Sequence, residues 1–350
     1  MTTPQDGGGA PPSAQRYSRQ LLFRPIGASG QARLREARVA IAGMGALGTV
    51  SAAQLARAGV GRIRCIDRDI VEASNLQRQI LYDEADAAAY LPKAEAAARK
   101  LRQANSEIAV EPAIADLTAQ NAESLLADVD LILDGTDNFQ ARHLINDVSV
   151  KRGIPWAYGG AVSSYGASGL FRPGATPCLV CLFGTDSGEA HDTCDTAGVI
   201  APAVAIIASL QAGEALKWLT GNEDALNRGL TYIDVWDNTF RTVAFGAPRA
   251  DCPCCGARRF ASLDARTDAL AVSLCGRRTV QVRPPAERAL ALDEMARRLS
   301  RVGAVVQNGQ LLRLDLGAEQ ISLFKDGRAL IHGVDDTARA RTLYARYIGM

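Results

Sequence analysis

The sequence lacks the features that mark several common classes of protein. Only three histidines occur in 350 residues (His143, His191 and His332), which argues against a metal centre or a catalytic triad built on histidine. The 39 basic and 38 acidic residues leave a net charge of +1, so bulk electrostatics gives no support to nucleic acid as a partner. The most apolar stretch, 199–210, is shorter than the roughly 20 residues that span a bilayer. The first residues lack the basic start and apolar run of a signal peptide, and we therefore expect a soluble, cytoplasmic protein without a membrane partner.

Length and composition predict a globular protein of about two domains, at about 150 residues per domain. The chain is 47% hydrophobic and 22% charged, which is enough to bury a sizeable core. Residues 1–15 are rich in glycine, proline, serine and glutamine, and we interpret them as a disordered tail. A break at 251–259, rich in cysteine, proline, glycine and arginine, separates a domain of residues 16–260 from a smaller one at 265–350.

An alternation of short strands and helices begins at Arg38. β-Branched runs predict the strands, and the alanine-rich stretches between them predict the helices. Strands are predicted at 38–42, 62–67, 108–113 and 129–134, and helices at 46–58, 93–104, 119–127 and 139–151. This alternation is typical of an α/β fold with a Rossmann-like, doubly wound and mostly parallel sheet.

After Ile154 the pattern changes to paired strands. They are predicted at 156–162, 167–171, 231–236 and 241–245, as an antiparallel extension beside a buried helix at 199–219. The C-terminal residues predict two strands, a helix at 292–300, three short strands and a helix at 335–347. We expect a separate small α/β domain there.

A glycine-rich loop follows the first predicted strand. Gly43, Gly45 and Gly48 suit a tight turn, a close approach of backbone to phosphate and the packing of helix on strand. The helix that begins there presents free N–H groups to an anion. Asp67 ends the next strand, where its carboxylate can accept a hydrogen bond from a ribose hydroxyl. The motif predicts nucleotide binding without choosing among NAD, FAD and ATP.

A polar run at 69–79 favours a triphosphate among these ligands. It places Asn75, Gln77, Arg78 and Gln79 after the ribose-binding strand, and Lys93 lies at a predicted helix start. Amide, guanidinium and ammonium donors gathered there suit a triphosphate better than a pyrophosphate already held on N–H groups. A solvated loop is the alternative interpretation.

Asp137 follows the strand at 129–134, and doubly wound sheets bind ligands beyond the carboxyl ends of their strands. A carboxylate at this point can hold Mg²⁺ that bridges phosphates. Asp137 and Asn138 are also good N-cap residues for the helix that follows, and the two roles are compatible.

Taken together, these motifs resemble the ThiF/MoeB/HesA family of ubiquitin-activating-like adenylyltransferases. The resemblance covers about 16–260. It comprises R-Y-x-R-Q at 16–20, GMGALG at 43–48, D-x-D at Asp67 and Asp69, S-N-L-Q-R-Q at 74–79, P-K at 92–93 and T-D-N at 136–138. One departure is Gly135, where relatives often have cysteine.

The resemblance implies roles for several residues and an ATP-dependent reaction. Asp67 corresponds to an aspartate that holds the ribose, and Asp69 lies in the same motif. The phosphate-binding residues of the family correspond to Asn75, Arg78 and Lys93, and the aspartate associated with Mg²⁺ and catalysis corresponds to Asp137. Arg19 resembles an arginine that reaches into the nucleotide site of the partner subunit, which implies a homodimer.

The implied reaction suits these residue types. The C-terminal glycine carboxylate of a small ubiquitin-fold carrier protein ending in Gly-Gly would attack the α-phosphate of ATP. Nucleotidyl transfer depends mainly on positioning and on neutralisation of charge. Arg19, Arg78 and Lys93, with Mg²⁺ at Asp137, would neutralise that charge. A carboxylate is already ionised at neutral pH, so no general base is needed.

Four of the eight cysteines form two C-x-x-C pairs, Cys178 with Cys181 and Cys252 with Cys255. Two such pairs offer the four thiolates of a closed tetrahedral Zn²⁺ site. Two redox dithiols are the alternative, but a thioredoxin-like context is missing. Cys254, inside the second pair, is a weaker candidate ligand.

The remaining cysteines divide into one candidate for reactivity and two for packing. Cys194 lies in a polar segment that leads into the buried helix, where the positive end of a helix favours a thiolate. It resembles the cysteine of the family motif T-C-x-x-A-G-V, which can join the carrier covalently during sulfur transfer. We interpret Cys65 as a core residue, Cys275 as a packing residue and His191 as part of a mobile loop at 183–191 rather than a base.

The leading hypothesis is adenylation of a ThiS-like sulfur carrier for thiamine thiazole biosynthesis, with a cysteine desulfurase or another sulfur donor as a further partner. The C-terminal extension resembles that of some longer ThiF-type enzymes and favours this carrier over a MoaD-like carrier of molybdopterin biosynthesis. We also expect residues 265–350 to dock the carrier or the donor. Two alternatives remain at this point. They are an NAD-dependent oxidoreductase, supported by the glycine loop and Asp67, and a non-catalytic scaffold that binds nucleotide and zinc.

Overall fold

Residues 15–185, 197–265, 271–274, 278–284 and 289–349 are described by the computed structural model of the chain. They form two compact units, of which the first includes Val199–Ala265 and the second includes the residues after Ala265. Cys194, His191 and Cys275 lie outside the described residues, as do residues 1–14 of the predicted tail.

The first unit is built on a sheet of eight strands. They are β1 (Arg38–Ala42), β2 (Arg62–Asp67), β3 (Ala109–Ile114), β4 (Leu131–Asp134), β5 (Trp156–Val162), β6 (Tyr165–Phe171), β7 (Gly229–Asp234) and β8 (Thr239–Ala244). Their order is β3-β2-β1-β4-β5-β6-β7-β8. The pairings from β3 to β5 are parallel, and those from β5 to β8 are antiparallel. The predicted fold class, a doubly wound parallel sheet with an antiparallel extension, is confirmed.

Helices pack on both faces of this sheet. They are α1 (Ser18–Leu22), α2 (Gly27–Glu36), α3 (Ala46–Ala58), α4 (Glu84–Ala88), α5 (Lys93–Ala104), α6 (Ala122–Leu126), α7 (Phe139–Arg152), α8 (Leu179–Phe183), α9 (Ala201–Thr220) and α10 (Ala261–Asp264). The core on one face joins α3, α5 and α9 to the sheet, with Ile41 and Leu133 at its centre. The core on the other face joins α6 and α7, with Ile132 and Trp156. Successive strand residues point to opposite faces, which is why Ile132 and Leu133 lie in different cores.

The second unit has its own sheet and core. Its strands are β9 (Ala271–Leu274), β10 (Thr279–Val282), β11 (Ala304–Gln307), β12 (Leu311–Asp315), β13 (Gln320–Phe324) and β14 (Ala329–His332), in the order β11-β12-β13-β14-β10-β9 with antiparallel pairings. The helices α11 (Leu292–Leu299) and α12 (Thr337–Tyr347) pack on one face. The turn at 325–328 joins β13 to β14 as its Asp-Gly sequence predicts, and Gly327 has a φ of +84°.

Several strand bounds differ from the prediction by one or two residues, and two differences have a local explanation. Four short strands follow α11 rather than three, because Ala304–Gln307 forms a mostly exposed edge strand without clear alternation of apolar residues. The strand predicted to end at Trp236 ends at Asp234. The side chain of Asp234 accepts a hydrogen bond from the backbone N–H of Trp236 (2.9 Å) and starts a turn. Among the helices in the described residues, none has the length and hydrophobicity needed to cross a membrane.

Candidate active site

The glycine loop lies at the carboxyl end of β1, where the strand order reverses between β2 and β4. Gly43 has a φ of +90°, a conformation that favours glycine. A Cβ atom at Gly48 would collide with the carbonyl oxygen of Gly43, so the loop folds tightly against the start of α3. Gly45 differs, because a Cβ atom there would lie 3.9 Å or more from its neighbours. No side chain of the described residues caps α3, so its first backbone N–H groups remain available to a ligand.

Asp67 closes the loop from the side of β2. Its Oδ2 atom accepts a hydrogen bond from the backbone N–H of Met44 (2.7 Å), and its Oδ1 atom accepts one from that of Asp69 (2.7 Å). Burial raises the pKa of Asp67 above its ordinary value, while the ammonium group of Lys93 acts in the opposite direction. A carboxylate has about four acceptor positions, so lone pairs remain for a ligand.

Lys93 is the first residue of α5, and its side chain is almost completely buried. Its Nζ atom lies 3.5 Å from Oδ2 of Asp69, and its backbone N–H donates to the carbonyl oxygen of Asp69 (2.9 Å). The hydroxyl of Tyr82 lies 2.7 Å from the carbonyl oxygen of Met44 and 3.2 Å from that of Lys93. Tyr82, which no sequence motif indicated, therefore joins the glycine loop to the start of α5.

The polar run after β2 places its predicted residues unequally. Asn75 is buried and accepts a hydrogen bond from the backbone N–H of Glu72 (3.2 Å), so part of its amide stabilises its own loop. Arg78 is half-buried and donates to the carbonyl oxygen of Ser74 (3.1 Å). Gln79 is one of the amide donors of the predicted polar run. Its Nε2 atom lies 4.0 Å from the position that a Cβ atom at Gly45 would take. Its buried Oε1 atom has no hydrogen-bond partner among the described residues.

The turn after β4 faces the glycine loop. The backbone N–H of Gly135 donates to the carbonyl oxygen of Ala42 (2.7 Å), which joins the turn to the end of β1. Asn138 is the N-cap of α7, because its side chain accepts a hydrogen bond from the N–H of Ala141 (2.8 Å). Asn138 therefore caps the helix, and the carboxylate of Asp137 remains exposed.

Charged residues that follow β2 and β4 interact at the carboxyl edge of the sheet. Arg68 lies between Asp67 and Asp69 and forms an ion pair with Asp116 (3.1 Å). Burial lowers the pKa of Arg68, but the carboxylates around it, including Asp137, raise it above its ordinary value. The field of Asp137 therefore reaches the groups at the end of β2.

Two buried residues hold the end of β4 and have no counterpart in the sequence prediction. Arg142, on α7, donates from Nε to Oδ2 of Asp134 (2.9 Å). Gln211, on α9, donates from Nε2 to the carbonyl oxygens of Asp134 (2.8 Å) and Ala157 (3.0 Å). Arg142 lies four residues after the N-cap Asn138, on the same face of the helix. That spacing was the sequence signal that could have placed Arg142 beside this turn. Gln211 is 77 residues from its partner, and no local pattern indicates it.

The segment at 16–20 is fixed by three of its four motif residues. The hydroxyl of Tyr17 accepts a hydrogen bond from Asn105 (2.8 Å), and Gln20 donates to the carbonyl oxygen of Ala58 (2.9 Å). Arg16 donates to the carbonyl oxygen of Ala104 (3.0 Å). Arg19 is exposed on α1. Arg16, Tyr17 and Gln20 therefore hold α1 in place, and Arg19 is left exposed to solvent.

The four cysteines of the two C-x-x-C pairs come together in the first unit. The sulfur atoms of Cys178, Cys181, Cys252 and Cys255 all lie within 4.8 Å of one another. The separations are 3.8 Å for Cys178 and Cys181, 3.7 Å for Cys178 and Cys252, and 3.4 Å for Cys181 and Cys255. Tetrahedral zinc with Zn–S bonds of about 2.3 Å requires sulfur separations of about 3.8 Å. The cluster has the dimensions of such a site.

Cys254 lies beside this cluster and bonds to α7. Its sulfur accepts a hydrogen bond from Nδ2 of Asn146 (3.2 Å) and donates to Oδ1 of Asp147 (3.4 Å). The Oδ1 atom of Asn146 also accepts from the backbone N–H of Leu179 (2.8 Å), which lies between Cys178 and Cys181. Asn146 thus joins both C-x-x-C pairs to α7. Cys65 lies in the core as predicted, and burial raises the pKa of its thiol to about 12.

Comparison with known proteins identifies several relatives of this chain. The ThiF family matches residues 17–254. The sulfur carrier protein ThiS adenylyltransferase of Bacillus subtilis is 47% identical over 337 residues, 95% of this chain and 99% of that protein. The SAMP-activating enzyme E1 of Haloferax volcanii is 38% identical over 243 residues, 69% of this chain and 88% of that protein. In the solved structures, E. coli MccB with ATP matches at 26% identity and a TM-score of 0.61, over 69% of this chain and 74% of that one.

Proposed function

The chain belongs to the ThiF family, and we propose that it uses ATP to adenylate the C-terminal glycine of a ThiS-like sulfur carrier for thiamine thiazole biosynthesis. The convergence of the glycine loop, Asp67, Lys93 and Asp137 at one edge of the sheet is the observation that carries this proposal. The similarity to a ThiS adenylyltransferase over 95% of the chain supports the choice of carrier.

The reaction joins the carrier to AMP. An oxygen of the glycine carboxylate attacks the α-phosphorus of ATP, the bond from that phosphorus to the bridging oxygen of the β-phosphate breaks, and pyrophosphate leaves. The products are the acyl-adenylate and pyrophosphate. The protein contributes position and positive charge rather than a proton acceptor, because the attacking carboxylate is already ionised.

The open side of Gly45 and the uncapped start of α3 would receive the phosphates. The carboxylate of Asp67, with lone pairs to spare, would accept from the ribose, and Asp69 would hold Lys93 in place. Asn75, Arg78 and Lys93 would contact the phosphates. Arg78 is the more accessible of the two cations, whereas Lys93 is held in a buried position.

Asp137 would hold Mg²⁺ together with the phosphates, since its carboxylate is exposed at the edge where they would lie. Bound Mg²⁺ neutralises phosphate charge during the transfer. Arg19, exposed on a fixed helix, would contribute to the site of a second copy in a homodimer.

The cysteine cluster would hold a structural Zn²⁺. Four sulfur ligands leave no position for a substrate, and the metal would join the segment after β6 to residues 252–255. Because the cluster and α7 share Asn146, bound zinc would stabilise the first unit rather than take part in the reaction.

We extend the proposal to sulfur transfer. The thiolate of Cys194 would attack the acyl carbon of the adenylated carrier, the bond from that carbon to the phosphate oxygen would break and AMP would leave. A cysteine desulfurase or another donor would supply the sulfur. Cys194→Ser should exchange pyrophosphate at the wild-type rate and transfer sulfur poorly. Normal sulfur transfer by this variant would remove the covalent role.

Pyrophosphate exchange into ATP tests the main proposal. Exchange should depend on a ThiS-like carrier, and the same carrier without its last glycine should give none. A MoaD-like carrier is the second arm, and a faster reaction with it would move the enzyme to molybdopterin biosynthesis. Asp137→Asn should abolish exchange, while Asp130→Asn, an exposed change at the other end of β4, should not. The absence of pyrophosphate exchange with every carrier would overturn the proposal.

A further inference from the structure

The guanidinium group of Arg142 is the point where three chain segments meet. Its Nε atom donates to Oδ2 of Asp134 (2.9 Å) at the end of β4. One terminal nitrogen donates to the carbonyl oxygen of Thr136 (2.9 Å) in the next turn and to that of Gly159 (3.1 Å) in β5. A planar group with five donors in a rigid fork can serve three such acceptors at once, whereas an ammonium group cannot match that geometry.

The charge of Arg142 is fully compensated although it is buried. Asp134 is inaccessible to solvent, and the side chain of Arg142 is 8% exposed. Burial lowers the pKa of Arg142, but the carboxylate of Asp134 raises it above its ordinary value, so the guanidinium stays charged. It also lies 5.2 Å from the ring centre of Phe139 and 5.3 Å from that of Tyr158, over the faces of two aromatic rings.

Asp134 uses its second oxygen for the same turn. Its Oδ1 atom accepts hydrogen bonds from the backbone N–H (2.9 Å) and the hydroxyl (2.6 Å) of Thr136. Thr136 is therefore held at its N–H, its hydroxyl and its carbonyl oxygen by one buried ion pair. Asn138 fixes the other side of the turn as the cap of α7. Asp137, between these two anchored residues, is exposed.

We propose that Arg142 is a positioning residue that fixes the Thr136–Asn138 turn so that the Asp137 carboxylate faces the phosphates of bound ATP. This inference rests on the proposed function and adds to it a residue that does not touch the substrate. Arg142 contributes through backbone geometry, since it fixes the carbonyl oxygen that precedes Asp137. The arginine fork is needed for this purpose, and a positive charge alone is not sufficient.

Arg142→Lys tests the proposal, since it keeps the charge and loses the fork. The turnover number of carrier-dependent pyrophosphate exchange should fall at least tenfold, about 1.4 kcal/mol of transition-state stabilisation. Thermal stabilisation by ATP without Mg²⁺ should stay within twofold of the wild-type value, because the glycine loop and Asp67 are unchanged. The added stabilisation that Mg²⁺ gives should be reduced. Arg152→Lys, at the exposed end of α7, is the matched control and should behave as wild type.

Thr136→Val is a second variant that preserves the shape of the side chain and removes one bond to Asp134. It should lower the turnover number about threefold without changing the KM for ATP, and it decides the matter if Arg142→Lys does not fold. Wild-type turnover in both variants would overturn the inference. So would a parallel loss of turnover, Mg²⁺-free ATP binding and thermal stability, which is the signature of a merely structural role. A wild type that exchanges no pyrophosphate would refute the proposed function, and this inference with it.

Discussion

Three glycine-to-alanine substitutions should separate the glycine loop's contribution to stability from its contribution to nucleotide binding. A Cβ atom at Gly135 would lie 3.0 Å from the backbone N and Cα of Gly48 and closer still to the carbonyl oxygen of Gly43. At Gly45 the nearest atom would be 3.9 Å away, and at Gly213, in α9, no atom lies within 4 Å among the described residues. Gly135→Ala changes protein packing, Gly45→Ala adds a methyl group in the space proposed for phosphate, and Gly213→Ala does neither.

The expected magnitudes follow from these distances. Overpacking of this kind costs about 1–3 kcal/mol, so Gly135→Ala should lower the Tm by roughly 2–12 °C for a unit of this size. Gly45→Ala should leave the Tm of the free protein within about 1 °C of wild type. Gly213→Ala should raise it slightly, because alanine is favoured over glycine by up to about 1 kcal/mol inside a helix.

The effect of ATP on the Tm gives the second measurement. ATP at 100 times its Kd stabilises the folded state by about 2.7 kcal/mol. If the methyl group of Gly45→Ala raises the Kd thirtyfold, the same concentration stabilises by only about 0.9 kcal/mol. Gly213→Ala should keep the full effect. Unchanged ATP stabilisation in Gly45→Ala would refute the assignment of this space to phosphate, and a wild-type Tm in Gly135→Ala would refute the argument from packing.

Three further predictions concern other parts of the chain. Cys252→Ser should lose bound zinc, measured by metal analysis, and its Tm should fall by several degrees, whereas Cys254→Ser should keep the metal because its thiol bonds to α7 instead. Burial lowers the pKa of His143 below 6.5, so the unfolded chain binds more protons there and stability falls as the pH drops below about 6.5. His143→Leu should therefore reduce the loss of Tm between pH 7.5 and 5.5, and an unchanged loss would contradict this origin. Deletion of residues 266–350 should preserve pyrophosphate exchange and lower sulfur transfer, and equal transfer by the shortened chain would remove the proposed docking role of the second unit.

Local sequence was enough to predict the elements that surround the nucleotide loop. β1, α3, β2 and α5 begin and end where the pattern of β-branched and alanine-rich segments places them, because glycine and proline interrupt the chain at their ends. The positions of the glycine loop, Asp67 and Lys93 follow from those boundaries. The position of a residue at the end of a strand or helix can therefore be predicted from the local sequence.

The supports of the site could not be predicted in this way. Tyr82, Arg142 and Gln211 act on partners that the fold brings close, and each is an ordinary polar residue within its own segment. The sequence also left open which of two adjacent residues caps α7. That choice depends on the direction of the Asn138 side chain, which only the backbone conformation determines.

Gln211 limits how far the motifs of this site can be transplanted. Strands β4 and β5 separate at their ends, and the single amide of Gln211 serves the carbonyl oxygens of both from a helix on the other side of a long connection. A designer who grafts the glycine loop and the T-D-N turn onto another doubly wound sheet would copy every residue that a motif search recognises. The graft would still lack the two hydrogen bonds that Gln211 donates, and a buried carbonyl group left unpaired costs about 1–3 kcal/mol. The portable unit is therefore the turn together with its distant glutamine, and recombination between relatives should succeed only where both come from the same parent.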